Sequence, residues 1–375
     1  MSQLSSATAG ELPATMLLLA AFCTSAAGVA VLSRLAPRLG LIDVPGGRKA
    51  HASAVPLVGG LAIFLAVLLT AYFANLAPAL APFLLALSCL IAIGCWDDVA
   101  EISPRTKFAI QLLAAAIMIW SAGVELRSVG DLLGWKPIGL WIFAVPMTML
   151  AIVGVVNAIN MMDGLDGLAG SVAIVAFAWY AAAAVSSGPG TAFATAVVFC
   201  GALAGFLVFN LRLPWQPQAR VFLGDAGSMM IGFALGWLAI DLTQGAGRTF
   251  SPIAALWVLL LPLADCVSLM ARRLGRRESP FLADRFHIHH YLQARGFTDG
   301  QVLALLVSVS TLFGAVGYFG WRLGLPEAAL FWPFFFGFFA YHFWIQREWR
   351  RLQSRQTRAA HTRVSADKDG IAAAR

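Results

Sequence analysis

Four short stretches of the sequence combine acidic, amide or histidine side chains with long apolar runs nearby. Asp97 and Asp98 are adjacent, and further polar side chains occur in NAINMMDGLDGLAGS (157–171), FLGDAGS (222–228) and DRFHIHH (284–290). Ionisable side chains beside membrane-like segments usually belong to a functional site, because placing them there is energetically costly. We therefore predict that the four stretches meet at one polar site.

The carboxylates have the composition of a magnesium site. Asp97 and Asp98 repel each other unless they share a cation or a proton, and Asp225 lies between two glycines just before an apolar run. Mg²⁺ takes oxygen ligands and commonly joins one or two carboxylates to substrate phosphates. The alternatives are a solvated helix end for the aspartate pair and, for FLGDAGS, a helix start capped by Ser228.

The stretch 157–171 predicts a polar helix face that ends in a glycine-rich turn. Asn157, Asn160 and Asp163 recur at helical spacing. Gly164 and Gly167 allow a ligand to approach the backbone closely. Free backbone N–H groups at the start of the next helix could hold a phosphate or a uracil edge. The alternative is a loop in which the glycines serve only the turn.

The histidines are concentrated in one predicted loop. His287, His289 and His290 lie within four residues, shortly after Arg285. Imidazole binds transition metals, but the sequence offers no spaced cysteines or second histidine set to complete a zinc site. Phosphate binding by imidazole N–H groups and the Arg285 guanidinium fits these residue types better. A solvated basic loop is the alternative.

Two further basic segments could attract an anionic nucleotide. Arg48, Lys49 and His51 lie in DVPGGRKAHASAVPLVGG (43–60), and Lys107 follows the segment SPRT. Clustered positive charge raises the local concentration of anions. Each segment is also typical of an ordinary cytoplasmic loop in a membrane protein, so neither indicates a nucleotide site by itself.

The elements that must position these residues are membrane helices. Of the 375 residues, 59% are hydrophobic and 12% are charged, with a mean hydropathy of +0.78. Soluble domains are about half apolar and a quarter charged. A span needs about 20 mostly apolar residues. We predict an all-α, polytopic membrane bundle with eleven spans: 15–33, 57–74, 80–96, 107–122, 138–156, 168–187, 191–211, 227–243, 251–271, 301–320 and 328–346.

Basic residues set the predicted orientation, with the N-terminus outside and the C-terminus cytoplasmic. Only four of the 26 Lys and Arg then fall on the outer side: Arg127, Lys136, Arg248 and Arg322. Membrane topology therefore accounts for most of the formal charge of +7, and no basic domain of the nucleic-acid-binding type is present. The predicted organisation is a periplasmic segment, a membrane domain and a basic cytoplasmic tail, at 1–14, 15–346 and 347–375.

Together these stretches resemble the polyprenyl-phosphate N-acetylhexosamine-1-phosphate transferase family. The resemblance extends over about residues 38–300, with the motifs in the family's order. Relatives that act on a peptide-bearing sugar carry three consecutive histidines, whereas Ile288 interrupts the run here, which favours an amino sugar without a peptide. In DDVAE the residues after the aspartate pair depart from the pattern of enterobacterial relatives and leave the role of Glu101 open.

The resemblance implies a transferase of the bacterial inner membrane whose site faces the cytoplasm. Its reaction would convert undecaprenyl phosphate and a UDP-N-acetylhexosamine to an undecaprenyl-diphosphate-sugar and UMP, initiating a cell-envelope glycan such as lipopolysaccharide O-antigen. N-acetylglucosamine is the favoured sugar, with N-acetylgalactosamine or a deoxy amino sugar as alternatives. Direct attack by the lipid phosphate is favoured over a covalent intermediate, and relatives imply a homodimer.

The same resemblance implies roles for individual residues. Asp225 would ligate Mg²⁺, with Mn²⁺ as an alternative, and Asp97, beside Asp98, would orient or deprotonate the lipid phosphate. Asn160 and Asp163 would support the metal and the diphosphate. The uridine site would be lined by Gly164, Leu165, Asp166 and Phe222. Phosphates or the sugar would be held by Lys107, Arg285, His287, His289 and His290.

Two other classes of protein remain open from the sequence. A transporter with a cytoplasmic anion site would need charges deep within its spans and two repeated halves. Asp241 and Asp265 instead lie near the ends of predicted spans, and no halves repeat. A non-catalytic scaffold would leave the acidic and histidine clusters idle. Release of UMP separates the transferase from both alternatives.

Overall fold

The computed structural model of the chain describes residues 12–44, 54–100, 102–188, 190–245, 247–279 and 286–373. The described chain is predominantly helical. Its helices are α1 (Ala14–Leu39), α2 (Gly59–Phe73), α3 (Ala81–Ala100), α4 (Pro104–Ala122), α5 (Ala144–Met162), α6 (Leu168–Ala184), α7 (Thr191–Asn210), α8 (Gly224–Asp241), α9 (Pro252–Val258), α10 (Leu260–Gly275), α11 (Ile288–Ala294), α12 (Asp299–Arg322) and α13 (Glu327–Ala373).

The membrane character of the fold is confirmed. Within the described residues, six helices are long and apolar enough to cross a bilayer, and the pair α9–α10 would make a seventh. Each of the eleven predicted spans overlaps a helix or that pair, although the bounds differ, as for the predicted span 138–156 and α5 (Ala144–Met162). However, α2 and α6 have 15 and 17 residues, which at about 1.5 Å per residue is less than the bilayer core. Eleven crossings and the orientation of the termini therefore remain predictions.

The predicted span 251–271 is not a single helix. α9 and α10 meet at Leu259 with an angle of 80° between them. Pro262 lies in the first turn of α10, where its missing N–H is tolerated, but its ring would clash with an uninterrupted turn continuing from α9. Hydropathy alone does not register the break, because the proline leaves the apolar run intact.

A two-stranded antiparallel pair, not predicted from the sequence, lies between α1 and α2. β1 (Ile42–Asp43) pairs with β2 (Val55–Pro56). Strands of two residues are too short to show the alternation by which a strand is recognised. The Pro56 carbonyl accepts a 2.9 Å hydrogen bond from the Phe222 N–H, so β2 holds the segment that leads into α8.

α8 forms the centre of the bundle and determines where Asp225 lies. Beyond its first residues the helix is almost entirely buried, and it packs on α2, α3 and α5. Gly60 and Gly94 lie so close to the first turn of α8 that a Cβ atom on either would overlap the backbone of that turn. A Cβ atom at Gly232 would lie 2.6 Å from the Cα atom of Val156 in α5. Such close approach through small residues is typical of membrane helices.

Candidate active site

A cavity of about 680 Å³ opens where α3, α5 and α8 end or begin. Most of the acidic residues singled out in the sequence line it, together with the predicted uridine-site residues. The predicted residues in its wall are Asp97, Asp98, Asp163, Gly164, Leu165, Asp166, Phe222 and Asp225. Convergence of the three acidic stretches is therefore observed. The histidines are not among the described residues that line this cavity.

Asp98 holds the N-terminus of α8. Its Oδ1 atom accepts a 3.0 Å hydrogen bond from the backbone N–H of Asp225, while the N-cap residue Leu223 offers no side-chain cap. A Cβ atom at Gly224, whose φ is +74°, would lie 2.5 Å from Asp98 Oδ2, so the contact requires glycine. The expectation that Ser228 caps the helix is wrong, because its hydroxyl lies one turn further along and bonds the Gly224 carbonyl.

Lys107 neutralises two of the carboxylates. Its Nζ atom lies 2.5 Å from Asp97 Oδ2 and 2.5 Å from Asp225 Oδ2. Lys107 stands in the first turn of α4, whose N-cap Ser103 accepts a hydrogen bond from Thr106 N–H. Asp97 Oδ1 also accepts from the Ile102 N–H at 2.8 Å, which fixes the connection from α3 to α4. The lysine predicted to bind phosphate thus pairs with carboxylates in the structure.

Asn160 supports Asp225 from the last turns of α5. Its side-chain amide donates to Asp225 Oδ1 at 3.0 Å and to the Ser228 hydroxyl at 2.8 Å. Asn157, one turn earlier, instead donates to Gln111 Oε1 at 2.9 Å, outside the acidic cluster. Both oxygens of Asp225 are therefore engaged, one by Asn160 and the other by Lys107.

Asp163 follows α5 and lies in the mouth of the cavity. The residue as a whole is exposed, yet the surrounding protein limits hydration of the carboxyl group and raises its pKa to about 8; the nearby carboxylates of Asp225, Asp166 and Asp98 act in the same direction. A cation in the cavity would favour its ionised form. The protonation state of Asp163 therefore depends on the charge of the group that occupies the cavity.

The predicted histidine loop contains the start of a short helix. His287 is the N-cap residue of α11, and its ring stacks parallel to that of His289 with 5.4 Å between centroids. His289 is buried, and neither of its ring nitrogens has a hydrogen-bond partner among the described residues. A Cβ atom at Gly164 would lie 2.5 Å from His289 Nε2. His289 therefore packs against Gly164, which lines the cavity.

A chain of ion pairs and hydrogen bonds also connects α11 to the cavity. Arg212 Nε donates to Asp166 at 2.6 Å, and the same guanidinium pairs with Asp299 at the start of α12. Asp299 accepts a 2.8 Å hydrogen bond from Gln293, and Gln293 accepts one from His290 Nδ1 at 3.1 Å. The sequence analysis did not identify Arg212, because its partners lie far away along the chain.

Comparison with known proteins was consistent with these features. The family model of glycosyl transferase family 4 matches residues 80–243, which include α3 to α8 and every acidic residue of the cavity wall named above. The chain is 36% identical over 322 residues to the undecaprenyl-phosphate alpha-N-acetylglucosaminyl 1-phosphate transferase of Haemophilus influenzae, covering 85% of this chain and 90% of the relative. The chain belongs to glycosyl transferase family 4.

Other members of the family show similarity of the same extent. The proteins of the same name from Yersinia pestis and Pasteurella multocida are 33% and 34% identical, over 349 and 319 residues. The matches cover 90% and 84% of this chain and 95% and 89% of those relatives. The resemblance drawn from the sequence motifs is thereby confirmed for most of the chain.

The acidic cluster fits a metal ion that is shared with phosphates. Over the described part of the chain, no group of three or more His, Cys, Asp or Glu side chains is arranged to hold a metal by itself. Mg²⁺, however, commonly uses one or two carboxylates and completes its shell with water and phosphate oxygens. Asp225 offers such a carboxylate, and the buried Asp98 Oδ2 atom beside it has no hydrogen-bond partner in the part of the chain that the structure describes.

Several predicted residues lie outside the described ranges. These are the basic residues expected to attract a nucleotide or a phosphate: Arg48, Lys49, His51 and Arg285. Two buried polar residues that the sequence analysis did not assign to the site hold segments of it in place. Asn210 accepts from the Gly167 N–H and donates to the Val221 carbonyl, each at 2.8 Å, and so links the two glycine-rich stretches. Asp265 binds the histidine segment.

Proposed function

We propose that this protein transfers N-acetylglucosamine 1-phosphate from UDP-N-acetylglucosamine to undecaprenyl phosphate, releasing UMP and starting a cell-envelope glycan. The observation that carries the proposal is the acidic cavity of Asp97, Asp98, Asp163 and Asp225, found in a chain similar over most of its length to transferases named for this reaction. We further propose that the cavity faces the cytoplasm of a bacterial inner membrane, which the distribution of Lys and Arg supports.

The charge arrangement suits a reaction between two anions. The lipid phosphate and the diphosphate of the nucleotide repel each other, so their approach requires positive charge in the site. Lys107 is the cation that the described side chains bring into the acidic cluster. Asp225, with Asp98 beside it, would hold Mg²⁺. When bound, this ion would neutralise the diphosphate and favour in-line attack on the β-phosphorus.

Each residue of the cluster then has a task of its own. Asn160 holds Asp225 in place through Oδ1, leaving Oδ2 to exchange its ammonium partner for other ligands. Lys107, once released from Asp225, can turn to a phosphate oxygen of the substrate. Asp97 would orient the lipid phosphate, which is already ionised at neutral pH and needs little help from a base. An oxygen of that phosphate attacks the β-phosphorus, and UMP leaves.

Another part of the cavity wall suits the nucleotide. Phe222 offers an aromatic face, and the 163–166 segment offers backbone groups and the Asp166 carboxylate. Arg212 already engages Asp166, which keeps that carboxylate in a defined position. We place the uridine on this side, so that the diphosphate points toward Asp225.

A panel of UDP-sugars tests the proposal directly. Purified protein with Mg²⁺ and undecaprenyl phosphate should release UMP fastest from UDP-N-acetylglucosamine. Preference for UDP-N-acetylgalactosamine or a deoxy amino sugar would keep the reaction class and change the sugar. Absence of UMP release with every sugar, from protein that unfolds cooperatively, would refute the transferase.

Asp225→Asn supplies the matching variant, because it keeps the shape of the side chain and removes its charge. We expect UMP release to be lost while the unfolding midpoint stays close to that of the parent. Asp241→Asn, at the far end of the same helix, is the control. Normal turnover in Asp225→Asn would remove Asp225 from the proposed metal site.

A further inference from the structure

A buried carboxylate outside the cavity wall holds the histidine segment in place. Asp265 lies in α10 and is 5% exposed. It accepts three hydrogen bonds: from His287 Nδ1 at 2.8 Å, from the Ile288 backbone N–H at 3.0 Å and from the Tyr341 hydroxyl at 2.8 Å. A carboxylate at such depth is stable only with several donors, so its presence indicates a specific task.

The contact with Asp265 determines that the Nδ1 atom of His287 carries a proton. Because a carboxylate only accepts, the Nδ1 atom must carry the proton, and the Nε2 atom is left to face away from Asp265. The bond to the Ile288 N–H simultaneously holds the first residue of α11. Ring orientation and helix start are thus set by one side chain.

α11 is anchored to α13 as well. The Trp349 indole N–H donates to the Phe286 carbonyl at 2.9 Å, and the Tyr291 hydroxyl bonds Glu348 at 3.1 Å. Tyr341, the third donor to Asp265, belongs to the same helix. Asp265 therefore joins α10, α11 and α13 at one point.

This arrangement reaches the cavity through two stacked rings. His287 stacks on His289, and His289 packs against Gly164, which lines the cavity. A change in the His287 ring would therefore be passed to the 163–166 segment, which also carries Asp166. Replacement of a carboxylate that orients a histidine through a hydrogen bond commonly lowers activity.

We infer that Asp265 is a positioning residue for the transfer reaction: it fixes the tautomer and orientation of His287, and so the shape of the nucleotide side of the cavity. The inference rests on the proposed function. It concerns the UDP-sugar and not the lipid phosphate, because His289, on which His287 stacks, packs against Gly164, whereas Asp97 and Asp225 are held by Lys107 and Asn160.

Asp265→Asn tests the inference, with Ser268→Ala as its matched control. The amide keeps the size of the side chain but offers one acceptor atom and one donor group to three donors. Ser268 is also buried in α10 and bonds His342 of α13 at 3.0 Å. We expect Asp265→Asn to raise KM for the UDP-sugar by roughly tenfold or more, with KM for undecaprenyl phosphate unchanged. Ser268→Ala should leave both values unchanged.

A spectroscopic measurement separates positioning from stability. In ¹⁵N-histidine-labelled protein, assigned with His287→Gln, His287 should show the Nδ1–H tautomer, and Asp265→Asn should convert it to a mixture. An unchanged tautomer in Asp265→Asn would overturn the inference. So would an equal rise in KM for both substrates, or a lower unfolding midpoint with unchanged KM values. Since the tautomer is measured without turnover, failure of the proposed function would appear separately, as absence of UMP release in the parent protein.

Discussion

The Asp98 carboxylate caps helix α8 by accepting a 3.0 Å hydrogen bond from the backbone N–H of Asp225. The cap comes from α3, so two stretches separated by more than a hundred residues are joined at the point where the acidic cluster is built. An anion at a helix N-terminus is also favoured by the helix dipole. Asp98 is therefore both a member of the cluster and a support for Asp225.

Variants of Asp98 should separate these two roles. Asp98→Ala removes the cap and should cost about 0.5–2 kcal/mol of stability, whereas Asp98→Asn keeps an acceptor and should remain close to the parent. Both should lose most UMP release, because neither supplies a carboxylate beside Asp225. Thermal unfolding in detergent and a UMP assay would measure the two effects. Full activity in Asp98→Asn would show that capping is the only role of this residue.

Replacement of Lys107 should weaken turnover and strengthen cation binding. Lys107→Met keeps the apolar stem but leaves Asp97 and Asp225 without their ammonium partner. We expect UMP release to fall by roughly 100-fold, a typical effect of removing one group that stabilises developing charge. Addition of Mg²⁺ should raise the unfolding midpoint more than it does in the parent, because the competing ammonium is gone.

The exposed Lys136 provides the control for this pair of measurements. Lys136→Met removes an equal charge far from the acidic cluster and should change neither readout. An Mg²⁺ response in Lys107→Met equal to that of the parent would contradict competition between the two cations.

Two asparagines of α5 form a matched pair one turn apart. Asn160→Ala removes both the donor to Asp225 and the donor to Ser228, and we expect UMP release to fall by about 10- to 100-fold. Asn157→Ala removes a hydrogen bond to Gln111. The fall in UMP release that it causes should be at least tenfold smaller than that of Asn160→Ala. Initial rates at saturating substrate measure both. Equal losses would mean that the packing of α5, and not the contact with Asp225, is responsible.

His289 should make the protein less stable as the pH falls. Burial, together with the neighbouring His290 and His287, lowers the pKa of His289 to about 3, against about 6.5 in the unfolded chain. Between these values the unfolded state binds a proton that the folded state does not, so stability falls as the pH drops below about 6.5. The slope is at most about 1.4 kcal/mol per pH unit.

The measurement for His289 is the unfolding midpoint between pH 7.5 and pH 5 (roughly one unit either side of the unfolded pKa). His289→Gln cannot take up this proton, and its midpoint should depend less on pH than that of the parent. Parallel curves for the two proteins would show that His289 does not contribute to acid sensitivity.

The acidic part of the site was predictable because the signal is local. Asp97, Asp163 and Asp225 each lie at a boundary between an apolar run and a polar segment, and positive-inside sorting places those boundaries on one side of the membrane. Boundaries on the same side of a bundle can meet at one site, and the three stretches do line one cavity in the structure. Prediction of a shared site therefore needed no knowledge of side-chain contacts.

The pairings were not predictable, because they depend on long-range geometry. Lys107 looked like a phosphate ligand, but α4 brings its ammonium between two carboxylates. Asp265 looked like an ionisable residue near the end of a predicted span, since the sequence does not show that α10 bends away from α9 or that Asp265 meets His287. Neither the 80° bend nor the contact leaves a periodic pattern in the chain.

The close packing around α8 divides the molecule into a fixed part and an adjustable part. There is no room for even one methyl group at Gly60 or Gly94, so the start of α8 is packed directly on α2 and α3, and this packing sets the position of Asp225. Adjustment to two large substrates would then come mainly from side chains that can exchange one partner for another, such as that of Lys107. Changes in α11 and its supports would accordingly reshape the nucleotide side of the cavity while leaving the packing around Asp225 intact.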